Sequence, residues 1–170
     1  MDLYGDFLEL YIEIMLGAVA FMTVVATLRQ TLGKPMPPYQ YLVVRFLVEV
    51  GLSHVFLAMA ALGLAYSALP DSVALKWTVY AFAGFTSPYL LFYIYRRTRR
   101  KAPTPFIILL VMLGYISMVI TLLLSALGLY VTPSIEVIVI YLLWVFLAHI
   151  VIFFVFLGTF FRMAAASSAD

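Results

Sequence analysis

The sequence predicts an all-α integral membrane protein, a bundle of five transmembrane helices with the N-terminus outside and the C-terminus cytoplasmic. Two observations support this fold class. Of the 170 residues, 66% are hydrophobic and only 11% are charged, whereas a soluble domain is about half apolar and about a quarter charged. In addition, five apolar segments approach or exceed the ~20 helical residues that cross the hydrocarbon core of a bilayer.

The predicted spans form a single transmembrane domain over residues 1–170. They cover residues 7–28, 39–66, 77–95, 105–129 and 133–161. Proline-containing connectors separate them, and a proline can begin a helix but cannot continue one. No connector is long enough to hold a second domain. The whole chain is therefore expected to lie in or beside the bilayer.

The placement of basic residues predicts the orientation, because Lys and Arg in short loops stay on the cytoplasmic side. With five spans, eight basic residues fall on one side, and Lys76 is the only base in the connectors of the other side. The eight are Arg29, Lys34, Arg96, Arg97, Arg99, Arg100, Lys101 and Arg162. The run "RRTRRK" is interpreted as a topology determinant that also meets anionic lipid headgroups, and not as a nucleic-acid patch. The expected location is a prokaryotic cytoplasmic (inner) membrane, which the chain crosses several times.

A stripe of small and polar residues on the fourth span predicts helix packing. Apolar side chains gain little by leaving lipid, so contacts between membrane helices are marked by small and polar residues instead. At offsets of three or four residues, one face of this span carries Gly114, Ser117, Thr121, Ser125 and Gly128. We expect this stripe to pack against another helix.

The first span has an acidic outer face that includes Glu9 and Glu13. One interpretation is an acidic vestibule that attracts cations, with Glu13 as its deepest member. The other is that acidic side chains favour a helix N-terminus and lie in the hydrated interface. Both interpretations remain open from the sequence.

The second span carries charged residues within its apolar run. Arg45, Glu49 and Ser53 follow at intervals of four and share a face, whereas His54 lies roughly 140° around the helix from Glu49. The helical rise places Glu49 about 13 Å, His54 about 21 Å and His149 about 18 Å from the cytoplasmic ends of their spans. These residues form a predicted intramembrane polar cluster. Since two faces of the second span carry such residues, we expect it to be the central helix of the bundle.

Ionisable residues at this depth are costly and indicate function by default. Arg45 and Glu49 can neutralise each other within one helix, and a lone histidine on an apolar span is commonly a neutral residue that hydrogen-bonds neighbouring helices. Cys is absent, no catalytic motif is present, and no close His/Asp/Glu triplet predicts a metal site. We therefore expect a protein that is not an enzyme and has no required cofactor.

Three functions are compatible with this pattern. The first is an accessory or interaction subunit of a larger membrane complex or homo-oligomer, whose partners are lipid and other subunits or copies of itself. The second is a proton- or ion-coupled transporter or channel that uses Arg45, Glu49, His54 and His149. The third is an electron-transfer subunit in which His54 and His149 ligate a b-type haem.

Overall fold

The computed structural model describes residues 2–31, 38–99 and 106–166, and within them the chain forms five α-helices. The helices are α1 (Asp2–Thr31), α2 (Pro38–Ala65), α3 (Asp71–Arg99), α4 (Phe106–Ala126) and α5 (Ile135–Ala166). Each predicted span has a helix as its counterpart. The all-helical architecture is therefore confirmed.

Four of these helices, α1, α2, α4 and α5, are long and apolar enough to cross a membrane. They indicate a membrane-embedded protein. The third helix has sufficient length, 29 residues, but it is not among the four because tyrosines, hydroxyl side chains and Pro88 lower its hydropathy. The predicted third span is thus a helix whose composition differs from that of the other four.

Local sequence determines where the helices begin and end. Pro38 is the first residue of α2. Proline suits this position because the first N–H groups of a helix have no acceptor within the helix, so the N–H that proline lacks is not needed. At the end of α4, Gly128 has a positive φ of 68°. Its N–H donates to the Ser125 carbonyl, and the Leu129 N–H donates to the Leu124 carbonyl. This pair of bonds is a Schellman cap, which a glycine favours because it has no Cβ.

The helices pack in chain order, and α2 also contacts α5 across the bundle. Along α2 lie α1, α3 and α5, while α5 contacts α4, α2 and α1. The second helix therefore packs along three others, as α5 does, and it also reaches α4 through His54 and Tyr115. Close approach of α1 to α2 depends on Gly51, because a Cβ there would overlap the Val19 side chain.

Candidate functional site

The Arg45 and Glu49 side chains pair on the surface of α2. Arg45 Nε donates to Glu49 Oε1 one helical turn away, and the two side chains are 40% and 30% exposed. The spacing of four residues places both on one face, which is the geometry that the sequence predicts. The pair therefore lies at the edge of the bundle and not in its interior.

Two residues of α3 complete the environment of the Glu49 carboxylate. Arg96 Nη2 and the Tyr89 hydroxyl each donate to Glu49 Oε2 at 3.0 Å, and Arg96 Nη1 lies 3.5 Å from Oε1. We call Arg45, Glu49, Tyr89 and Arg96 the carboxylate cluster. It contains two guanidinium groups and one carboxylate, so it carries one unbalanced positive charge.

The position of Arg96 shows a packing role for part of the basic run. Arg96 and Arg97 are expected at lipid headgroups, yet both are buried. The Arg96 guanidinium lies 5.3 Å from the centroid of the Phe92 ring, and Arg97 Nη1 donates to the Tyr93 hydroxyl at 3.1 Å. The aliphatic stem of an arginine packs well against apolar neighbours while its head finds polar partners. These two residues therefore contribute to helix packing.

The remainder of the basic run behaves differently. The Arg99 side chain is exposed, in keeping with its predicted place at the headgroups, whereas Arg100 and Lys101 lie outside the described residues. A signal for Arg96 was present in the sequence, because Tyr89, Tyr93 and Arg96 follow at intervals of four and three and thus share a face of α3. That face is the one that meets α2.

His54 lies in a separate, fully enclosed network. Its side chain is 1% exposed. Nδ1 lies 2.7 Å from the Val50 carbonyl oxygen, and Nε2 lies 2.6 Å from the Tyr141 hydroxyl and 3.3 Å from the Tyr115 hydroxyl. Since a carbonyl only accepts, Nδ1 carries the proton and Nε2 accepts from Tyr141. A neutral imidazole thus joins α2, α4 and α5.

His149 is also buried, with different partners. Its Nδ1 lies 2.8 Å from the Val145 carbonyl oxygen on α5, and its Nε2 lies 3.3 Å from the Leu47 carbonyl oxygen on α2. The Phe46 ring stacks against the imidazole with a centroid separation of 6.2 Å. His149 therefore links α5 to α2 through partners of its own, which differ from those of the His54 network.

The predicted intramembrane polar cluster accordingly separates into three parts. Arg45 and Glu49 belong to the carboxylate cluster, while His54 and His149 each have partners of their own. Ser53 joins none of these, because its hydroxyl donates to the Glu49 carbonyl of its own helix at 2.6 Å. The helical rise predicted that these residues lie in the middle of the membrane together, but the direction of each side chain separates them.

The two histidines do not share a ligand-facing space. Ligation of one haem iron would require a nitrogen of each ring to face the same atom, whereas Nε2 of His54 contacts Tyr141 and Nε2 of His149 contacts Leu47. This arrangement does not favour a haem between them. Among the described residues, no group of three His, Asp or Glu side chains could hold a metal ion.

The small-residue stripe of α4 contributes to packing in part. Gly114 faces Trp144 so closely that a Cβ would overlap the indole ring, and Ser125 is fully buried. Thr121 is half-buried, its hydroxyl donating to the Ser117 carbonyl, and Ser117 itself is exposed. Gly128 belongs to the cap after the helix. Larger residues, such as Tyr115 and Leu122, form the rest of the buried face.

The predicted acidic face lies on the outer surface of α1. Glu9 and Glu13 are both exposed, on a helix whose neighbouring surface includes the exposed Leu10 and Ile14 side chains. Neither carboxylate belongs to the carboxylate cluster. Whether the face attracts cations or lies among headgroups stays a prediction.

Comparison with protein-family models, with curated proteins and with solved structures finds no match for this chain.

Proposed function

We propose that this protein is an interaction subunit of a larger membrane assembly and that Arg45 contacts an acidic group of a partner subunit. The observation that carries this proposal is the unbalanced positive charge of the carboxylate cluster. Arg96 is buried against α2, whereas 40% of the Arg45 side chain faces outward. A charge within an apolar span is costly without a counter-ion, so the outward-facing guanidinium favours a contact from outside the chain.

The distribution of carboxylates favours a different chain as the partner. Glu13 lies about midway along α1, and the exposed side chains of Asp6, Asp71 and Glu136 lie near the opposite ends of their helices from the cluster. In a parallel pair of copies the latter three carboxylates would be on the other side of the membrane from Arg45. A partner helix with its own Asp or Glu near the cytoplasmic interface meets the requirement.

Native mass measurement after gentle detergent extraction tests this proposal. We expect the wild-type protein to run in a particle that contains another polypeptide, and Arg45→Gln to release the protein as a folded monomer. Arg99→Gln is the matched control, because Arg99 is also exposed but lies outside the cluster. A wild-type protein without companions, or an Arg45→Gln protein that keeps its companions, would contradict the proposal.

We further propose that α3 crosses the membrane as the fifth span. It lies alongside α2, with Phe82 beside His54 and Arg96 beside Glu49, so it runs antiparallel to a helix that is long enough to cross. The excess of Lys and Arg near its end then favours a cytoplasmic C-terminus and an N-terminus outside. A prokaryotic cytoplasmic membrane is the expected location.

A proton or ion pathway is the second proposed function, and the buried hydroxyl groups favour it. Tyr4 and Tyr11 have buried hydroxyls with no hydrogen-bond partner among the described residues, and Tyr115, Tyr141 and His54 form a polar network deeper in the bundle. Unpaired hydroxyls in such a place are sites where water can bridge. Proton flux into liposomes that contain the protein tests this function. We expect Tyr11→Phe to slow the flux, and an unchanged flux would contradict the pathway.

A further inference from the structure

A groove lies between the opening turns of α1 and α5, at the end of the bundle where both helices begin. It has a volume of about 570 Å³, and its lining includes Asp6 and Phe7 of α1 and Val139 of α5. Farther along the two helices, Phe21 and Phe153 meet edge to face with ring centroids 5.6 Å apart. The helices therefore run side by side in the same direction, touching at these rings and leaving a gap between their opening turns.

The walls of the groove are mostly apolar, and its described lining holds one charged side chain, that of Asp6. Leu3 and Leu10 line it from α1 with exposed side chains, and Ile135 and Val139 line it from α5. Ligand pockets in proteins have volumes of about 300–1,000 Å³, largely apolar walls and a few polar groups that fix orientation. The groove meets this description in both its volume and its lining.

The Asp6 carboxylate has no counter-ion in the part of the chain that the structure describes. Its side chain is exposed, and no hydrogen bond or ion pair among the described residues involves it. Glu9 on α1 and Glu136 at the start of α5 are exposed acidic neighbours in the sequence, whereas Lys76 belongs to α3 and lies over the Tyr80 ring. The surroundings of the groove are therefore acidic and attract cations.

We propose that this groove binds an organic cation with an apolar body, such as a lipophilic quaternary ammonium. The Asp6 carboxylate supplies the opposite charge. Tyr4 and Phe7 share the lining with it, and aromatic rings attract an ammonium group through their π faces. The apolar walls select for the body of the ligand, because an inorganic cation keeps its hydration shell and gains nothing from hydrocarbon side chains.

The proposal goes beyond the subunit function and does not depend on it. The groove lies where α1 begins, whereas Arg45 is near the start of α2 and Arg96 near the end of α3, at the opposite end of the bundle. Arg45→Gln should therefore bind an organic cation as the wild-type protein does. Loss of a partner subunit and loss of cation binding are thus separate results.

Fluorine NMR of the protein in a non-ionic detergent tests the proposal with two probes of one shape. One probe is (4-trifluoromethylbenzyl)trimethylammonium, and in the other a tert-butyl group replaces the trimethylammonium group. We expect saturable binding of both and a preference for the ammonium probe of about fivefold, the scale of a partly exposed ion pair. No saturable binding would overturn the proposal. Equal affinity for the two probes would also overturn it, because the groove would then be a site for hydrocarbon alone.

Variants of the groove separate the charge from the apolar walls. Asp6→Asn should lower the affinity for the ammonium probe to that for the neutral probe, whereas Glu13→Gln, at an exposed carboxylate outside the lining, should change neither affinity. Val139→Trp fills the groove from α5 and should abolish saturable binding, and Ile140→Trp, at the exposed next position, is its matched control. If Val139→Trp fails to fold, Asp6→Asn still decides the outcome, because an undiminished preference for the ammonium probe contradicts the site.

Discussion

At the scale of single residues, Glu49 connects α2 to α3 through one carboxylate that accepts from two arginines and a tyrosine. Arg96 is the more enclosed of the two arginines, with 9% of its side chain exposed against 40% for Arg45. Removing the carboxylate therefore has unequal consequences for its partners. Arg45 can turn outward from the bundle, whereas Arg96 would keep an uncompensated charge inside it.

We predict that Glu49→Gln lowers the free energy of unfolding by roughly 2–3 kcal/mol, below the cost for a fully buried pair because the cluster is partly exposed. Adding Arg96→Met should recover more of this loss than adding Arg45→Met, since only the former removes the enclosed charge. Thermal unfolding in detergent measures the stability of the wild-type protein, the single variant and the two double variants. Glu13→Gln, at an exposed carboxylate of α1, is the control and should change little. Equal recovery by the two double variants would contradict this description.

The His54 network gives a second prediction at this scale. Tyr141→Phe removes the hydroxyl that donates to Nε2 at 2.6 Å and leaves a buried acceptor with only the more distant Tyr115 hydroxyl. We expect a loss of about 1–2 kcal/mol in the free energy of unfolding. Tyr130→Phe is the matched control, because Tyr130 is 98% exposed in the turn after α4. A Tyr141 variant as stable as this control would show that the hydroxyl contributes nothing.

At the scale of helices, the contact between α4 and α5 depends on the absence of a side chain at Gly114. We predict that Gly114→Ala destabilises the protein by about 1–3 kcal/mol, because its Cβ would overlap the Trp144 ring and force the indole to move. In Gly17→Ala on α1, the added methyl meets nothing within 4 Å, and the change should stabilise the helix slightly. Unfolding in detergent compares the two variants. A tolerated Gly114→Ala would mean that Trp144 repacks freely.

At the scale of the whole molecule, the topology is accessible to labelling because the chain has no Cys. We predict that single cysteines in place of Asp2 and Ser67 react with an impermeant maleimide from outside the cell, whereas one in place of Thr98 reacts only after the membrane is opened. Ser67 follows α2 and Thr98 is near the end of α3, so this pair reports directly on the crossing of α3. Labelling of Ser67 and Thr98 from one side would exclude that crossing.

The sequence by itself determined the helical class and most of the local structure. Apolar runs of sufficient length predicted five spans, because hydrocarbon requires that backbone groups be satisfied within each segment. All five are helices, and four of them are apolar enough to cross a membrane. The i, i+4 spacing of Arg45 and Glu49 predicted their contact, because residues four apart on a helix are neighbours on one face. Helix periodicity also showed that His54 points away from Glu49, and the described geometry separates these two residues.

Only the tertiary structure decided which distant side chains meet. Arg96 reaches Glu49 across 47 positions of sequence, and Tyr141 reaches His54 across 87. Helical periodicity assigns a residue to a face, but the neighbour of that face depends on how all five helices pack together. The same reason explains why Arg96 and Arg97 lie inside the bundle while Arg99 remains exposed.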